Sequence, residues 1–301
     1  MWTKNNMPDQ TGKIAIVTGG NTGIGYETAL ALYEAGAHVI IACRDAERAT
    51  EAIDTMKSTG GKGSLEFGLL NLANLGAIKS FAEYFKQKHQ RLNMLINNAG
   101  VMMPPASKTD DGFELQFGVN FIGHFALTAH LYPVLKSTAH CRVVSVSSGA
   151  STFVDHIDYD NLKLEKPYEE MREYATSKLA NVYFASELQR RAQPFSNLMS
   201  NAVHPGVVYT ELQRHIPKDQ LEIAFSKYKK VSDPWQGALP SLFAATSPSA
   251  SGGAYYGPDG ENEQSGYPAL SQRITPAMKD ESKAAELWNY AEEVTGLKFP
   301  Y

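Results

Sequence analysis

The sequence has little that would assign it to a secreted scaffold, a membrane or a nucleic acid. It contains two cysteines, Cys43 and Cys141. Each borders an apolar run, which reads as two buried free thiols rather than a disulfide framework. A reducing, cytoplasmic setting fits that reading. Long hydrophobic runs are also missing. The most apolar longer stretch, residues 121–135, is broken by His124, His130 and Pro133 and is too short to span a bilayer. Residues 1–11 are polar, so neither a signal peptide nor a membrane anchor is expected there. Basic runs are absent too. Lys and Arg number 28 against 32 Asp and Glu, a net charge of −4, which excludes nucleic acid as the main partner. No internal repeat, low-complexity tract or domain-splitting linker interrupts the chain, and no metal is expected.

What is present is an ordinary globular composition, 43% hydrophobic and 20% charged over 301 residues. One stretch organises the rest, Lys13 to Gly25. Ile14, Ala15, Ile16 and Val17 form a short β-branched apolar run, the pattern of a strand buried on both faces. Gly19, Gly23 and Gly25 follow, then an apolar periodic segment from Tyr26 to Tyr33. In a strand–turn–helix of this kind, glycines permit the tight bend and let a pyrophosphate approach the backbone. The free N–H groups and dipole of the helix start then hold the anion.

The same alternation continues. Further strands are expected at His38–Cys43, Ser64–Leu70, Leu92–Asn97, Cys141–Ser147, Asn197–Val203 and Ala254–Tyr256. Helices are expected to about Lys57, at Asn74–His89, Gly112–Lys136, around Tyr174, at Pro234–Thr246 and at Asp280–Thr295. Residues 211–232 are amphipathic, and 257–276 read as polar loop. Strands alternating with helices from 13 to 256 demand a parallel sheet with right-handed crossovers. The expected architecture is α/β: one doubly wound Rossmann domain with about seven parallel strands and a small C-terminal substrate lobe. Residues 13–206 form the cofactor-binding core and 207–301 the lobe with its closing helix.

Thr18-Gly19-x-x-x-Gly23-Ile24-Gly25 resembles the opening motif of the short-chain dehydrogenase/reductase family at every fixed position. Asn97-Asn98-Ala99-Gly100 after the fourth strand and His204-Pro205-Gly206 after the sixth are similar to that family's later motifs. Within it, Ile41-Ala42-Cys43-Arg44-Asp45, Asn120-Phe121-Ile122-Gly123-His124-Phe125 and Leu287-Trp288 look most like the retinol-dehydrogenase branch and its soluble bacterial relatives. Some members of that branch carry a membrane anchor; none is seen here.

The resemblance implies a nicotinamide nucleotide seated on Gly19, Asn21, Thr22, Gly23, Ile24 and Gly25. Asn71 and Leu72 would lie at its adenine, with Asn71 standing where the family usually has Asp. Asn98, Ala99 and Gly100 would lie along the adenosine half, and Pro205, Gly206, Val208 and Thr210 would close over the nicotinamide. Cys43 ends the second strand without a charge and Arg44 follows. Asp45 suits the N-cap of the next helix. NADP(H) is therefore expected, with Arg44 on the 2′-phosphate.

The resemblance also picks Asn120, Ser148, Tyr174 and Lys178 as catalytic. Asn120 would bend its helix and hold a water near the lysine. By residue type alone, Ser147 and Ser148 are not distinguished. Tyr174 and Lys178 are four apart and share a helix face. A nearby ammonium favours the phenolate and would lower the tyrosine's ordinary pKa of ~10. Tyr-x-x-x-Lys is not specific, and a second copy exists at Tyr84 and Lys88. That copy ends the helix feeding strand four, so topology puts it at the amino ends of the strands, away from a cofactor. His124 reads as a packed histidine.

The expected activity is NADP(H)-dependent reduction of an apolar ketone or aldehyde, or its reverse. NAD-dependent alcohol oxidation and a non-catalytic NADP-binding regulator are the alternatives. Phe153, Val154, Tyr209, Leu212 and Phe225 lie in segments able to line an apolar pocket. The family resemblance implies a homodimer paired through the helices of residues 112–136 and 168–192.

Overall fold

A computed structural model describes residues 1–194 and 198–301. The first half runs β1 (Ile14–Thr18), α1 (Gly23–Glu34), β2 (His38–Cys43), α2 (Ala46–Lys57), β3 (Ser64–Leu69), α3 (Leu75–Lys88) and β4 (Met94–Asn97). The second half runs α4 (Leu115–Phe117), α5 (Gly123–Ser137), β5 (Arg142–Val146), α6 (Glu170–Ala192), β6 (Met199–Val203), α7 (Lys218–Ser226), α8 (Pro234–Thr246), β7 (Tyr255–Pro258), β8 (Pro268–Leu270) and α9 (Glu281–Thr295). The expected start of the sixth strand, Asn197, lies outside the described residues. Among the described residues no helix is long and apolar enough to cross a membrane.

The eight described strands form one sheet in the order β3-β2-β1-β4-β5-β6-β7-β8. β1 to β7 pair in parallel, and β8 turns back antiparallel on β7. β1 is central, with Ile16 in register with Ile40 on one side and Leu95 on the other. Its residues alternate between two cores, as a strand covered on both faces must. Ile16 joins Phe81, Phe125, Tyr183 and Trp288 from α3, α5, α6 and α9. Ala15 and Val17 join Leu32, Ile53 and Leu242 from α1, α2 and α8. Strand order reverses between β1 and β4, which opens a crevice at the carboxyl ends of those strands.

Two features depart from the sequence expectation. The sheet has an eighth strand, because Pro268–Leu270, inside the expected polar loop, pairs with Tyr256–Pro258. The helix expected over 112–136 is broken. A buried Glu114 accepts from the Gln116 and Phe117 N–H groups at 2.8 and 2.6 Å to start α4. One π turn, Gly118–Ile122, then separates α4 from α5. Burial raises the Glu114 carboxyl to about 7 against those two hydrogen bonds. The amphipathic 211–232 stretch forms a 3₁₀ turn at Glu211–Gln213 and then α7.

α9 closes the fold. Asp280 caps its start, accepting from the Ser282 and Lys283 N–H groups, and Gly296 ends it at φ +67°. Trp288 stacks on Phe184 and meets Phe299 and Phe125 at centroid distances of 4.5 and 5.2 Å. Phe125 is fully buried in that cluster. A Phe125→Ala variant is expected to lose about 3–5 kcal/mol of stability, read as a lower midpoint in chemical denaturation. A loss below about 1 kcal/mol would mean that the cluster does not hold α9.

Candidate active site

The crevice begins at the turn after β1. Gly19 sits at φ +65°, in the left-handed region, and donates its N–H to the Ala42 carbonyl at 2.8 Å. A Cβ on Gly25 would lie 2.3 Å from the Gly19 carbonyl oxygen and 2.5 Å from Asn98 Nδ2. The turn therefore closes on itself and on the β4 loop, leaving the first N–H groups of α1 facing outward. From there a cleft of ≈ 1090 Å³ runs past Arg44 and Asn71 to Tyr174 and Lys178. Asn21, Thr22, Gly23, Ile24, Leu72, Asn98, Ala99, Gly100, Pro205, Gly206, Val208 and Thr210 also line it. Its length, glycine cradle and exposed helix start fit an extended dinucleotide.

Thr18, the last residue of β1, joins the parts. Its hydroxyl accepts from the Asn98 and Ala99 N–H groups, both at 2.9 Å. Asn98 Nδ2 donates to the Thr18 carbonyl at 2.8 Å. The Thr18 hydroxyl also lies 2.9 Å from His124 Nε2. His124 Nδ1 is 3.0 Å from the Asn120 carbonyl, which can only accept. The network thus assigns the proton to Nδ1 and makes Nε2 the acceptor from Thr18. Burial holds this imidazole neutral, lowering its pKa to about 4.

Asn120 lies within the π turn and is fully buried. Its amide clamps Val101, accepting from the N–H at 2.8 Å and donating to the carbonyl at 3.0 Å, and it also donates to Ser177 Oγ at 2.9 Å. The π turn is what swings this side chain onto the β4 loop. Neither the turn nor the role of His124 follows from composition, although the spacing of four from Asn120 was a usable signal.

The two serines after β5 separate clearly. Ser147 is buried and donates to the Lys178 carbonyl at 2.7 Å. Ser148 caps the 3₁₀ turn Gly149–Phe153, accepting from the Ala150 N–H at 3.2 Å, and its side chain approaches the Tyr174 hydroxyl. Tyr174 and Lys178, on α6, are 4% and 3% exposed. Lys178 Nζ donates to the Val146 carbonyl at 3.0 Å and stands 5.6 Å from the Tyr174 ring centroid. The expected lowering of the phenol is not what the structure gives. Burial dominates and raises Tyr174 to about 12, with Ser148 acting against it, while burial alone brings Lys178 down to about 8. The ammonium faces a carbonyl rather than the phenol oxygen, so it does not offset the desolvation.

At the other end, Asp45 caps α2, accepting from Arg48 N–H at 3.0 Å. Arg44 is exposed on the cleft wall. Two further cations, unnoticed in the sequence, stand there: Arg48, paired with Glu211 at 2.5 Å, and Arg214. Burial lowers the Arg214 pKa first, and the charges of Arg44 and Arg48 lower it further. Asn71 turns its amide oxygen to the Ala73 N–H at 3.0 Å. The Val208 carbonyl accepts from Gln213 Nε2 at 3.0 Å, and the Thr210 hydroxyl accepts from the Leu212 N–H at 3.2 Å beside Gly23.

Phe153, Leu212 and Phe225 line the cleft. Val154 packs against the core instead, and Tyr209 lies edge-on to Phe225 with its own ring exposed. The segment read as polar loop brings Glu263 and Arg273 to the cleft. Burial favours the neutral Glu263 carboxyl, but hydrogen bonds from His204, Ser271 and the Gln272 N–H prevail and hold it at about 2. The second Tyr-x-x-x-Lys pair is remote, with Lys88 4.4 Å from the Tyr84 ring centroid and neither residue on the cleft.

Residues 13–221 match the family model described as short chain dehydrogenase. The chain is 38% identical to human retinol dehydrogenase 14, covering 95% of this chain and 87% of that protein. It is 37% identical to human polyprenol dehydrogenase, covering 96% and 87%. An uncharacterized protein from Mycobacterium paratuberculosis has a crystal structure that matches with a TM-score of 0.83 at 34% identity, over 100% of this chain and 99% of the other. Pseudomonas aeruginosa RhlG, solved as an NADP active-site complex, matches with a TM-score of 0.66 at 25% identity, over 81% and 94%.

The neutral His124 makes a pH prediction. Its folded pKa of about 4 lies below the ordinary histidine value of 6.5. As pH falls below that ordinary value, the unfolded chain binds a proton that the folded one refuses, so stability drops until about pH 4. The loss from this group is on the order of 3 kcal/mol. A His124→Gln variant is expected to lose correspondingly less stability between pH 7 and 4.5 in denaturant melts, and parallel curves for the two proteins would contradict the assignment.

Proposed function

Since the chain belongs to the short-chain dehydrogenase family, an oxidoreductase family that acts on alcohols and carbonyls with a nicotinamide cofactor, we propose that it is an NADP(H)-dependent reductase of apolar ketones or aldehydes. The observation that carries the reading is the contact of a buried Tyr174 with Ser148, one helical turn from a buried Lys178. A bound nicotinamide nucleotide supplies the hydride. Tyr174 keeps its proton at neutral pH, because burial holds its pKa near 12, and gives it to the carbonyl oxygen as negative charge grows there. Ser148 donates to the same oxygen. Lys178, charged below about pH 8, holds the ribose hydroxyls. Asn120 fixes the Val101 loop and supports the water that restores the proton.

The preference for NADP(H) over NAD(H) is supported by the wall beside β2. The carboxylate that would hold a ribose 2′-hydroxyl in an NAD enzyme is lacking: Cys43 ends the strand, and Asp45 is committed to the α2 cap. Arg44, Arg48 and Arg214 gather around one end of the cleft, with Glu211 paired to Arg48. A 2′-phosphate dianion relieves the repulsion among these cations. The relatives' names, retinol and polyprenol dehydrogenases, and the cleft residues Phe153, Leu212 and Phe225 support an apolar substrate held between the Phe153 turn and the lobe of residues 207–301.

NADPH oxidation with a panel of apolar aldehydes and ketones, including a retinoid aldehyde, tests the activity. Tyr174→Phe is expected to lower kcat by roughly 10²–10⁴-fold while NADPH still binds; near-normal turnover would refute the role. Arg44→Ala and Arg214→Ala are expected to raise KM for NADPH about tenfold or more and to leave KM for NADH unchanged. Equal effects on both cofactors would remove the phosphate assignment.

A further inference from the structure

The second Tyr-x-x-x-Lys pair lies beside a different group of residues. His38 begins β2, Glu66 lies in β3, and His89 follows α3. His38 Nε2 stands 3.3 Å and His89 Nε2 3.5 Å from one atom, Glu66 Oε2. Both Nε2 atoms are shielded from solvent and stand at ion-pair distance from the carboxylate without the geometry of a regular hydrogen bond. Two shielded ring nitrogens converging on one carboxylate oxygen, neither in regular hydrogen-bond geometry, call for an explanation.

We propose that His38, Glu66 and His89 form a binding site for a divalent transition-metal ion of the zinc type. An ion with tetrahedral bonds of about 2.0–2.1 Å holds its ligand atoms about 3.3–3.4 Å apart, close to the 3.3 and 3.5 Å of the two nitrogen–oxygen edges. The three ligand atoms all lie within 4.8 Å of one another. The third edge therefore closes with a shift on the order of 1 Å, within reach of side-chain rotation in three partly exposed residues.

The surroundings orient the ligands as metal sites require. Ser64 Oγ lies 2.7 Å from His38 Nδ1 and turns Nε2 toward Glu66. The His89 ring packs on Phe85 at a centroid distance of 4.8 Å. Lys88 Nζ donates to Glu66 Oε1 at 3.2 Å, which leaves Oε2 for the ion. A small cavity of ≈ 10 Å³ borders Glu66 and His89. Two imidazoles and one carboxylate suit zinc or a neighbouring first-row ion rather than magnesium or calcium.

The site is built across three elements at the β3 edge of the sheet. Its residues are not among those lining the cleft. A bound ion therefore ties β2, β3 and the end of α3 together and acts on stability, not on turnover.

The test uses the full-length, tag-free protein and Zn²⁺ alone, followed by calorimetric titration and thermal melts. One Zn²⁺ per chain is expected to bind and raise Tm. Glu66→Gln and His89→Gln, each checked for folding in EDTA, are expected to weaken binding at least tenfold and leave NADPH oxidation unchanged. Lys88→Gln, on the exposed face of α3, frees the second carboxylate oxygen and is expected to tighten binding. Co²⁺ in place of Zn²⁺ is expected to give the visible absorption of a tetrahedral site. No Zn²⁺ binding to the wild-type protein, or equal binding to the wild type and the two ligand variants, would overturn the proposal. If the ligand variants do not fold, unchanged affinity in Lys88→Gln would overturn it.

Discussion

The hydroxyl of Thr18 is the point on which the site's geometry depends. It ends the central strand, accepts from two backbone N–H groups of the β4 loop and donates to His124. His124 in turn donates to the Asn120 carbonyl, and the Asn120 side chain clamps Val101 and reaches Ser177 on the helix of Tyr174 and Lys178. One chain of buried and part-buried hydrogen bonds thus links the glycine turn to α6. Each link is neutral, and those through His124 and to Ser177 are fully buried. Breaking one leaves a polar group unsatisfied, a cost of about 1–3 kcal/mol. Such a network favours one arrangement of the loops over its alternatives.

The sheet explains why these groups meet. β1 and β4 diverge in connectivity at the reversal of strand order, and the loops at their carboxyl ends leave the crevice open. β5 delivers Ser147 and Ser148 to the same rim. Ser147 faces inward and fixes the Lys178 carbonyl, while Ser148 faces the cleft and meets Tyr174. Alternation at a strand end has thereby given two adjacent serines two different tasks.

Much of this was legible from residue order. β1 and β2 are β-branched runs flanked by turn residues, and their bounds come within a residue or two of expectation. The glycines, the Asn-Asn-Ala-Gly loop and the Tyr–Lys spacing also announced themselves. What escaped was whatever needs a tertiary partner. Pro268–Leu270 has no strand signature until β7 lies beside it. The π turn at Asn120 depends on Val101 receiving its amide. Arg214 sits in a segment whose pattern says only amphipathic. The pKa of Tyr174 was misjudged because spacing supplies the neighbouring ammonium but not the depth of burial, and burial is the larger effect.

The central claim is that the phenol of Tyr174 and the ammonium of Lys178 together face the reacting end of a bound nucleotide. A crystal structure of the protein with NADP⁺ tests it most directly. The account predicts the nicotinamide ring over the carboxyl ends of β4 and β5, with its ribose hydroxyls on Lys178 Nζ and the Tyr174 hydroxyl open to a carbonyl at the ring's C4. A nicotinamide lying out of reach of both side chains would contradict it, however well the glycine turn held the pyrophosphate.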